Sequence, residues 1–303
     1  MSELRFDDRV AIVTGAGRGI GRAHAVELAA RGARVVVADF GGDIDGSGAS
    51  TAPADDVVGE IRAAGGEAVA CYGSVAIEVE ATAIVETALD TYGRLDVVVN
   101  NAGIHDPAPF EDLTLEQFRR MFDVHFFGTM MVTHAAWPHF VRARYGRVVN
   151  TTSEAILGGI AQLTSYGAAK GAVFGLTRNL ATEGIVHGIR VNALAPRAHT
   201  RMSESDAERL ASMFGMSEAM IQQVQASMPP EHNAPAAAFL AHESCPLNGE
   251  VLRVGMGSVA RLAVVHTQGI TKDPITAEDI AEHLEAILDV TEAHVTHVTA
   301  MEQ

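Results

Sequence analysis

Tyr166-Gly167-Ala168-Ala169-Lys170 sets a phenol and an ammonium four residues apart. On a helix, that spacing puts both on one face. A free tyrosine has a pKa of about 10, and a neighbouring ammonium favours the phenolate. The sequence therefore predicts a Tyr166 whose pKa is lowered by Lys170, suited to moving a proton near neutral pH. Ser153 follows the run Val148-Val149-Asn150, where its hydroxyl can hold a substrate oxygen. Tyr and Lys at this spacing are by themselves common on exposed helices. Here they follow two further motifs in order, and the combination is specific.

The first of these is Thr14-Gly15-Ala16-Gly17-Arg18-Gly19-Ile20-Gly21, between the apolar run Val10-Ala11-Ile12-Val13 and a helical segment through Leu28. A strand, a Gly-rich turn and a helix in this order make a dinucleotide site. Gly15 permits the tight turn, while Gly19 and Gly21 let backbone approach a pyrophosphate and let the helix pack closely. Free N–H groups at the helix N-terminus then face the phosphates. Asp39 ends the next apolar run about 20 residues on, where a carboxylate accepts from the ribose hydroxyls of NAD and repels the 2′-phosphate of NADP. Arg18 pulls the other way, since a cation in this loop can pair with that phosphate. We take Asp39 as decisive and expect NAD. The second motif is Asn100-Asn101-Ala102-Gly103, whose amides can brace the sheet and whose small residues leave room for adenosine.

These motifs need a scaffold of alternating strands and helices. Val35 to Ala38, Ala68 to Ala70, Leu95 to Val99, Val148 to Asn150 and Ile189 to Leu194 continue the series begun at Val10. Val-rich runs that are apolar on both faces suit a parallel sheet covered on both sides. The expected fold is α/β, a Rossmann-type doubly wound parallel sheet with helices on both faces, in a single domain with a C-terminal helical appendage. We expect the dinucleotide-binding catalytic domain over 1–258 and the appendage over 259–303. Gly41 to Pro53, rich in Gly, Asp and Ser, reads as a surface loop. Residues 197–230, with methionines at 202, 213, 216, 220 and 228, read as a mobile cover over the substrate or as a packed helix pair. Thr276-Ala277-Glu278-Asp279 resembles a capping start. Ile280, Leu284, Ile287 and Leu288 then share a helix face that needs a partner, in this chain or in a second subunit.

Composition excludes other classes. The chain has 303 residues, a formal net charge of −16 and 48% hydrophobic residues. That charge argues against nucleic acid and against an anionic membrane surface as partners. No apolar stretch is long enough to span a bilayer, and Arg5, Asp7, Asp8 and Arg9 break any early apolar run. Cys71 and Cys245 form no metal or disulfide pattern and read as reduced thiols. The histidines show no metal-ligand spacing, so no metal is expected. The C-terminal residues are not a peroxisomal address, and a reducing cytoplasm is the expected setting.

Taken in order, the Gly-rich loop, Asn-Asn-Ala-Gly, Ser153 and Tyr166 with Lys170 resemble the short-chain dehydrogenase/reductase family over roughly residues 6 to 258. A narrower resemblance is to the (3R)-hydroxyacyl-CoA dehydrogenase part of type 2 peroxisomal multifunctional enzymes. It is carried by Leu4-Arg5-Phe6-Asp7, Gly41-Gly42-Asp43, Val124-His125, Ala135-Ala136-Trp137, Tyr145-Gly146-Arg147 and His242-Glu243-Ser244-Cys245. It implies a stand-alone dehydrogenase that interconverts a secondary alcohol and a ketone. The implied substrate is an acyl-CoA, with a hydroxysteroid as runner-up and a non-catalytic NAD-binding sensor as the reading from another class. A homodimer or homotetramer is expected.

The resemblance also implies residue roles. Tyr166 is the general acid/base, Lys170 tunes it and binds the nicotinamide ribose, and Ser153 orients the substrate. Gly15, Arg18, Gly19, Ile20, Gly21, Asp39, Ser74, Val75, Asn101, Ala102 and Gly103 form the cofactor site, and Ala198, His199 and Thr200 pass the nicotinamide. Three positions depart from the wider family. His125 stands where an Asn commonly connects the lysine to water, so it is either a catalytic residue with a different proton path or a packed core histidine. Gly73 replaces an acidic residue on the adenine side. Arg197 follows Pro196 where Gly is usual, at the substrate mouth.

Overall fold

The protein's computed structural model describes residues 3–205 and 215–298. Its centre is β1 (Val10–Thr14), whose five residues are all buried. β1 pairs in parallel with β2 (Arg34–Ala38) on one side and with β4 (Val97–Asn100) on the other. The register sets Ile12 between Val36 and Val98. Side chains alternate between the two faces, as a strand requires. Val13, Val35, Val37, Val97 and Val99 enter one core, with Leu28 and Ile61 from α1 (Gly19–Ala30) and α2 (Ala52–Ala63). Ile12, Val36, Val98 and Val148 enter the other, with Ile84 from α3 (Glu78–Tyr92) and Phe140 from α5 (Gly128–Ala143). Burial on both faces explains the unbroken valine runs.

The sheet has eight strands in the order β3-β2-β1-β4-β5-β6-β7-β8. β3 (Glu67–Cys71), β5 (Gly146–Thr151), β6 (Ile189–Pro196) and β7 (Val251–Gly255) are parallel to their neighbours, and β8 (Ser258–Leu262) closes the edge antiparallel to β7. The order reverses between β1 and β4. A crevice opens there beyond the carboxyl ends of the strands, the place where doubly wound sheets bind ligands. β7 and β8 were not anticipated from the sequence. Arg253 and Arg261 interrupt their apolar residues, and β8 faces solvent along half its length.

Buried amides link the strand ends. Asn100 Nδ2 donates to Asn150 Oδ1 at 2.9 Å and lies 2.9 Å from Thr133 Oγ1 on α5. Asn150 Nδ2 then reaches Thr177 Oγ1 at 3.0 Å on α6 (Thr164–Gly184). This ladder ties β4 and β5 to two helices, α5 and α6, that pack on the same face of the sheet.

Three expectations need correction. The polar segment from Gly41 ends at Thr51, because Pro53 is buried in the first turn of α2. Proline fits there, since the first turn leaves its missing N–H without consequence. The segment is also more than a surface loop, because Gly42, Asp43, Ile44 and Gly46 form one wall of the crevice. The appendage is not purely helical: His294–Val295 pairs antiparallel with Val265–His266. Its helix breaks at His283 into α10 (Ala277–Glu282) and α11 (Leu284–Leu288). The capping box at Thr276 and Asp279 is present. Ile280, Leu284 and Leu288 are exposed, so their face finds no partner among the described residues. β8 crosses the expected boundary at residue 258 and belongs to the main sheet. Of the cover, α7 (Arg201–Ser205) and α8 (Glu218–Ala226) are seen, while Met213 lies outside the described residues.

Candidate active site

The nucleotide loop is shaped by its glycines. Gly15 and Gly19 adopt φ of +62° and +53°, which favours glycine. A Cβ on Gly21 would lie 2.1 Å from the Gly15 carbonyl oxygen, so no side chain fits where α1 meets the loop. Thr14 and Asn101 hold the loop against the end of β4. Thr14 Oγ1 accepts from the Asn101 and Ala102 N–H groups at 3.0 and 3.1 Å. Asn101 Nδ2 donates to the Thr14 and Gly15 carbonyls at 3.0 and 3.2 Å. The Asn101 amide nitrogen thus braces the loop.

Asp39 is held by backbone on two sides. Its carboxylate accepts from Gly17 N–H and Gly41 N–H, both at 2.7 Å. A carboxylate has about four acceptor sites, which leaves capacity for two hydroxyls. Arg18 turns toward the Gly42 carbonyl at 3.5 Å. Ser74 N–H donates to Glu80 at 2.7 Å, which fixes the next wall of the crevice, and Val75 packs on Gly128. Thr200 lies over the loop, with its methyl 3.3 Å from where a Gly19 Cβ would stand. Ala198 lines the crevice beside it, whereas the His199 ring faces Glu204 at 3.2 Å and Ser203 at 3.3 Å. These walls enclose a cleft of about 710 Å³ that runs from Asp39 to Ser153, Tyr166 and Lys170.

At that far end Ser153 is the N-cap of a short 3-10 turn, Glu154–Leu157, and accepts from Ala155 N–H at 3.1 Å. Glu154 is clamped by Arg197 at 2.5 and 2.8 Å, with Arg253 at 3.8 Å. The unusual Arg197 therefore steadies the turn that carries Ser153. Ser153 and Tyr166 line the same end of the cleft, and the serine side chain favours the phenolate. Lys170 Nζ donates to the Thr151 carbonyl at 2.7 Å, and Lys170's own carbonyl accepts from Thr152 Oγ1 at 2.9 Å.

The expected lowering of the Tyr166 pKa by Lys170 is not what this geometry gives. Burial raises Tyr166 above the usual phenol range, and the Ser153 hydroxyl opposes this only in part. Burial also pushes Lys170 down to about 7. Lys170 is buried and Tyr166 half-buried deep in the cleft, and removal from water favours the neutral form of each.

His125 sits where α4 (Leu115–Phe122) passes into α5 through a π-helical turn, Asp123–Phe127. Turns of this kind inside helices are frequent at functional sites. The ring is buried, edge-on to Tyr166 with centroids 5.2 Å apart. Its Nε2 lies 3.1 Å from Ile104 N and 2.9 Å from Ile104 O, and its Nδ1 has no partner. A Cβ on Gly103 would come within 2.5 Å of the ring. Burial, then the charge of Lys170, hold His125 well below the imidazole range. It is thus neither a fully satisfied core histidine nor an exposed base.

His105 escaped the sequence reading. It lines the cleft, is 7% exposed and meets the Tyr166 ring edge-on at 6.1 Å. Its only signal was adjacency to Asn101-Ala102-Gly103. Nothing in the spacing showed that the chain turns back toward Tyr166.

A phenol beside a serine hydroxyl, a buried lysine and a Gly-rich loop in one cleft is a site for hydride exchange at a carbinol. The family model for short chain dehydrogenases matches residues 9–211, and the chain belongs to the short-chain dehydrogenase/reductase family. It is an oxidoreductase acting on CH–OH groups. It is 43% identical over 289 residues to a short-chain type dehydrogenase/reductase of Mycobacterium tuberculosis, covering 95% of this chain and 96% of that one. It is 40% identical over 296 residues to peroxisomal multifunctional enzyme type 2 of Mus musculus, covering 96% of this chain but 38% of that longer protein. Among solved structures, 7α-hydroxysteroid dehydrogenase complexed with NADH and 7-oxo glycochenodeoxycholic acid superposes with a TM-score of 0.72 at 31% identity, covering 85% of this chain and 98% of that one.

Proposed function

We propose that this protein is an NAD-dependent dehydrogenase that oxidises (3R)-3-hydroxyacyl-CoA to 3-ketoacyl-CoA and catalyses the reverse reduction. The observation that carries the chemistry is that Ser153, Tyr166 and Lys170 line one end of the cleft that starts at the Gly-rich loop. The residues present fit the cofactor. The open backbone of Gly15, Gly19, Ile20 and Gly21 would hold the pyrophosphate, and the spare acceptor capacity of Asp39 would take the adenosine ribose hydroxyls. Ser74 and Val75 would flank the adenine, Ala102 and Gly103 would floor the site, and Ala198 and Thr200 would cover the nicotinamide. NAD bound there would supply the carbon that takes up hydride.

Oxidation removes a hydride from the carbinol carbon and a proton from its hydroxyl. Ser153 holds the oxygen and Tyr166 accepts the proton. Lys170, with its nitrogen fixed on the Thr151 carbonyl, would hold the nicotinamide ribose and set the local field. His125 is a positioning residue that holds Ile104 and one edge of Tyr166. Residues 197–205 and 215–230 belong to the proposed substrate cover. A hydroxyl held at one point and a ring held at another leave one carbinol hydrogen aimed at the cofactor. Only one enantiomer then keeps its chain in the cleft, and misorientation is costly in rate.

We base the substrate assignment on the near full-length resemblance and on apolar side chains near the cleft-lining His105 and Leu163 in sequence. Phe110, Leu157 and Ile160 are exposed on two segments joined by Ala108 N–H donating to the Gln162 carbonyl at 3.2 Å. Apolar groups there suit an acyl chain. They also suit a flat steroid, the second reading, which the likeness to a hydroxysteroid dehydrogenase supports. A non-catalytic NAD sensor would have no use for Ser153, Tyr166 and Lys170 together. The exposed Ile280, Leu284 and Leu288 support a two-fold homo-oligomer. Two free thiols fit a reducing cytoplasm, and no described helix is long and apolar enough to cross a membrane.

The test is steady-state oxidation of matched R and S 3-hydroxyacyl-CoA pairs beside a 17β-hydroxysteroid. We expect the R series to be preferred. Equal rates for the enantiomers, or a steroid kcat/KM far above every acyl-CoA, would overturn the substrate while leaving the dehydrogenase.

A further inference from the structure

Ser153 is anchored differently on its two sides. Before it, Thr152 N–H donates to the Leu194 carbonyl at 2.7 Å and Thr152 Oγ1 to the Lys170 carbonyl at 2.9 Å. After it come the 3-10 turn and then Gly158 and Gly159, which adopt φ of +76° and +89° with no atom near where a Cβ would stand. The turn presses on α6 beside Tyr166, since a Cβ on Gly167 would lie 2.9 Å from the Ala155 carbonyl oxygen. It also sets the serine side chain, because Ala155 N–H donates to Ser153 Oγ at 3.1 Å. The turn is gripped at Glu154. Arg197 Nε and Nη2 donate to its two carboxylate oxygens at 2.5 and 2.8 Å, and Arg253 stands 3.8 Å away. Arg197 is itself fixed. Its N–H donates to the Val254 carbonyl at 2.7 Å on β7, and its carbonyl accepts from Nδ2 of the buried Asn233 at 3.1 Å. Gly255, at φ +141°, lets the backbones approach so closely that a Cβ there would lie 2.6 Å from the Arg197 Cβ. The ion pair thus ties the serine turn to the rim formed by β6 and β7.

We propose that Arg197 and Glu154 form a positioning clamp that holds the Ser153 hydroxyl in place for hydride transfer at the carbinol. This rests on the reading of Ser153 as the group that orients the substrate oxygen, and it deepens that reading. A planar guanidinium that grips both oxygens of a carboxylate fixes orientation as well as distance. Many exposed ion pairs are loose and contribute little. Here the contact is two-pronged, and the side chains are only 41% and 28% exposed. Glu154 lies between Ser153 and Ala155, so a shift of its backbone moves both the serine and the N–H that holds the serine oxygen. The glycines that follow the turn offer no second hold. A loosened turn therefore costs rate, because a reacting group must be placed closely. It leaves cofactor affinity alone, since the Gly-rich loop and Asp39 lie at the other end of the cleft. The clamp also gives a role to the arginine after Pro196, where the wider family commonly has glycine. Neither partner needs to touch substrate or cofactor.

The experiment compares the full-length wild type with Glu154→Ala, Arg197→Lys, Ser153→Ala and the double variant Ser153→Ala/Glu154→Ala. The substrate is (3R)-3-hydroxybutyryl-CoA or a 17β-hydroxysteroid, whichever the wild type oxidises faster with NAD. Rates are expressed per NADH-binding site, counted by fluorescence titration, so that the folded fraction of each preparation drops out. We expect Glu154→Ala to lower kcat roughly tenfold with the Kd for NADH unchanged. Arg197→Lys keeps a charged donor but loses the fork, and its kcat should fall between the two. The double variant decides the route. A clamp that acts through Ser153 has little left to do once the hydroxyl is gone, so the double variant should match Ser153→Ala within about twofold. An equal loss from Glu154→Ala in both backgrounds would make the pair a support for the fold and overturn the proposal, as would an unchanged kcat in Glu154→Ala. The same cycle with Arg197→Gln gives the reading should Glu154→Ala not fold. Wild-type kcat in Ser153→Ala would overturn the role of Ser153 itself. That result is distinct from a Ser153 effect without a clamp effect, which would overturn the clamp alone.

Discussion

Lys170 Nζ lies 5.7 Å from the centre of the Tyr166 ring and is held by the Thr151 carbonyl at 2.7 Å, so the ammonium is turned to backbone rather than to the phenol oxygen. The group that favours ionisation of Tyr166 is Ser153, against the larger effect of burial. The sign of the pH dependence follows. Tyr166 keeps its proton through neutral pH and is ready to donate in ketone reduction, while alcohol oxidation needs the phenolate. Oxidation kcat/KM of the free enzyme should rise with pH from neutral into the alkaline range, and reduction should fall over the same range. Ser153→Ala should move both limbs to higher pH and lower kcat. Profiles that stay in place in that variant would remove Ser153 from the control of Tyr166.

Tyr166→Phe should lower kcat by about 10²–10⁴-fold, the usual contribution of a positioned acid or base. NADH binding, measured by fluorescence titration, should remain. In the proposed mechanism the hydroxyl handles the proton, whereas most of the proposed cofactor contacts lie along the Gly-rich loop and Asp39. Turnover close to wild type would end the assignment.

Cofactor choice turns on Asp39 against Arg18. Asp39 is fixed by two backbone N–H groups, and Arg18 reaches the Gly42 carbonyl at 3.5 Å on the same wall. We expect a higher kcat/KM with NAD than with NADP. Asp39→Ser should narrow the gap by roughly tenfold or more, since it removes a negative charge facing the 2′-phosphate. An NADP preference in the wild type would show that Arg18 dominates.

Much of this was legible in the sequence, for a physical reason. Strands buried on both faces must be apolar at every position, and Val10 to Val13 and Val35 to Val37 say so directly. The Gly-rich loop was legible because close backbone approach tolerates no side chain at Gly21. Features that depend on distant contacts were not. The Asn100–Asn150 ladder needs the register of β4 against β5. The π turn at His125 leaves no mark on a helical pattern. The four-residue spacing of Tyr166 and Lys170 fixed a shared helix face, but it could not show that Lys170 would turn to Thr151 or that burial would outweigh its charge. His105 is found only once the fold brings the segment after β4 back over α6.

His24, on α1, is the buried group least explained by sequence, and it yields a test of stability. It is 1% exposed, and neither ring nitrogen has a hydrogen-bond partner among the described residues. Burial pushes its pKa down to about 4, from 6.5. Between these values the unfolded chain binds a proton at this site and the folded chain does not. Stability therefore rises as pH climbs from about 4 to 6.5, and the destabilisation is full below 4. At pH 5 this linkage costs roughly 2 kcal/mol relative to neutral pH. His24→Leu removes the titration and the two orphan nitrogens while keeping an apolar side chain on the buried face. Stability at neutral pH should rise by about 1–3 kcal/mol, the cost of an unsatisfied buried polar group. Urea unfolding of both proteins at pH 5 and pH 7.5 provides the measurement. The fall in midpoint between the two pH values should be smaller in the variant. An equal fall in both proteins would mean that His24 is protonated in the folded state, and that a partner reaches its ring in solution.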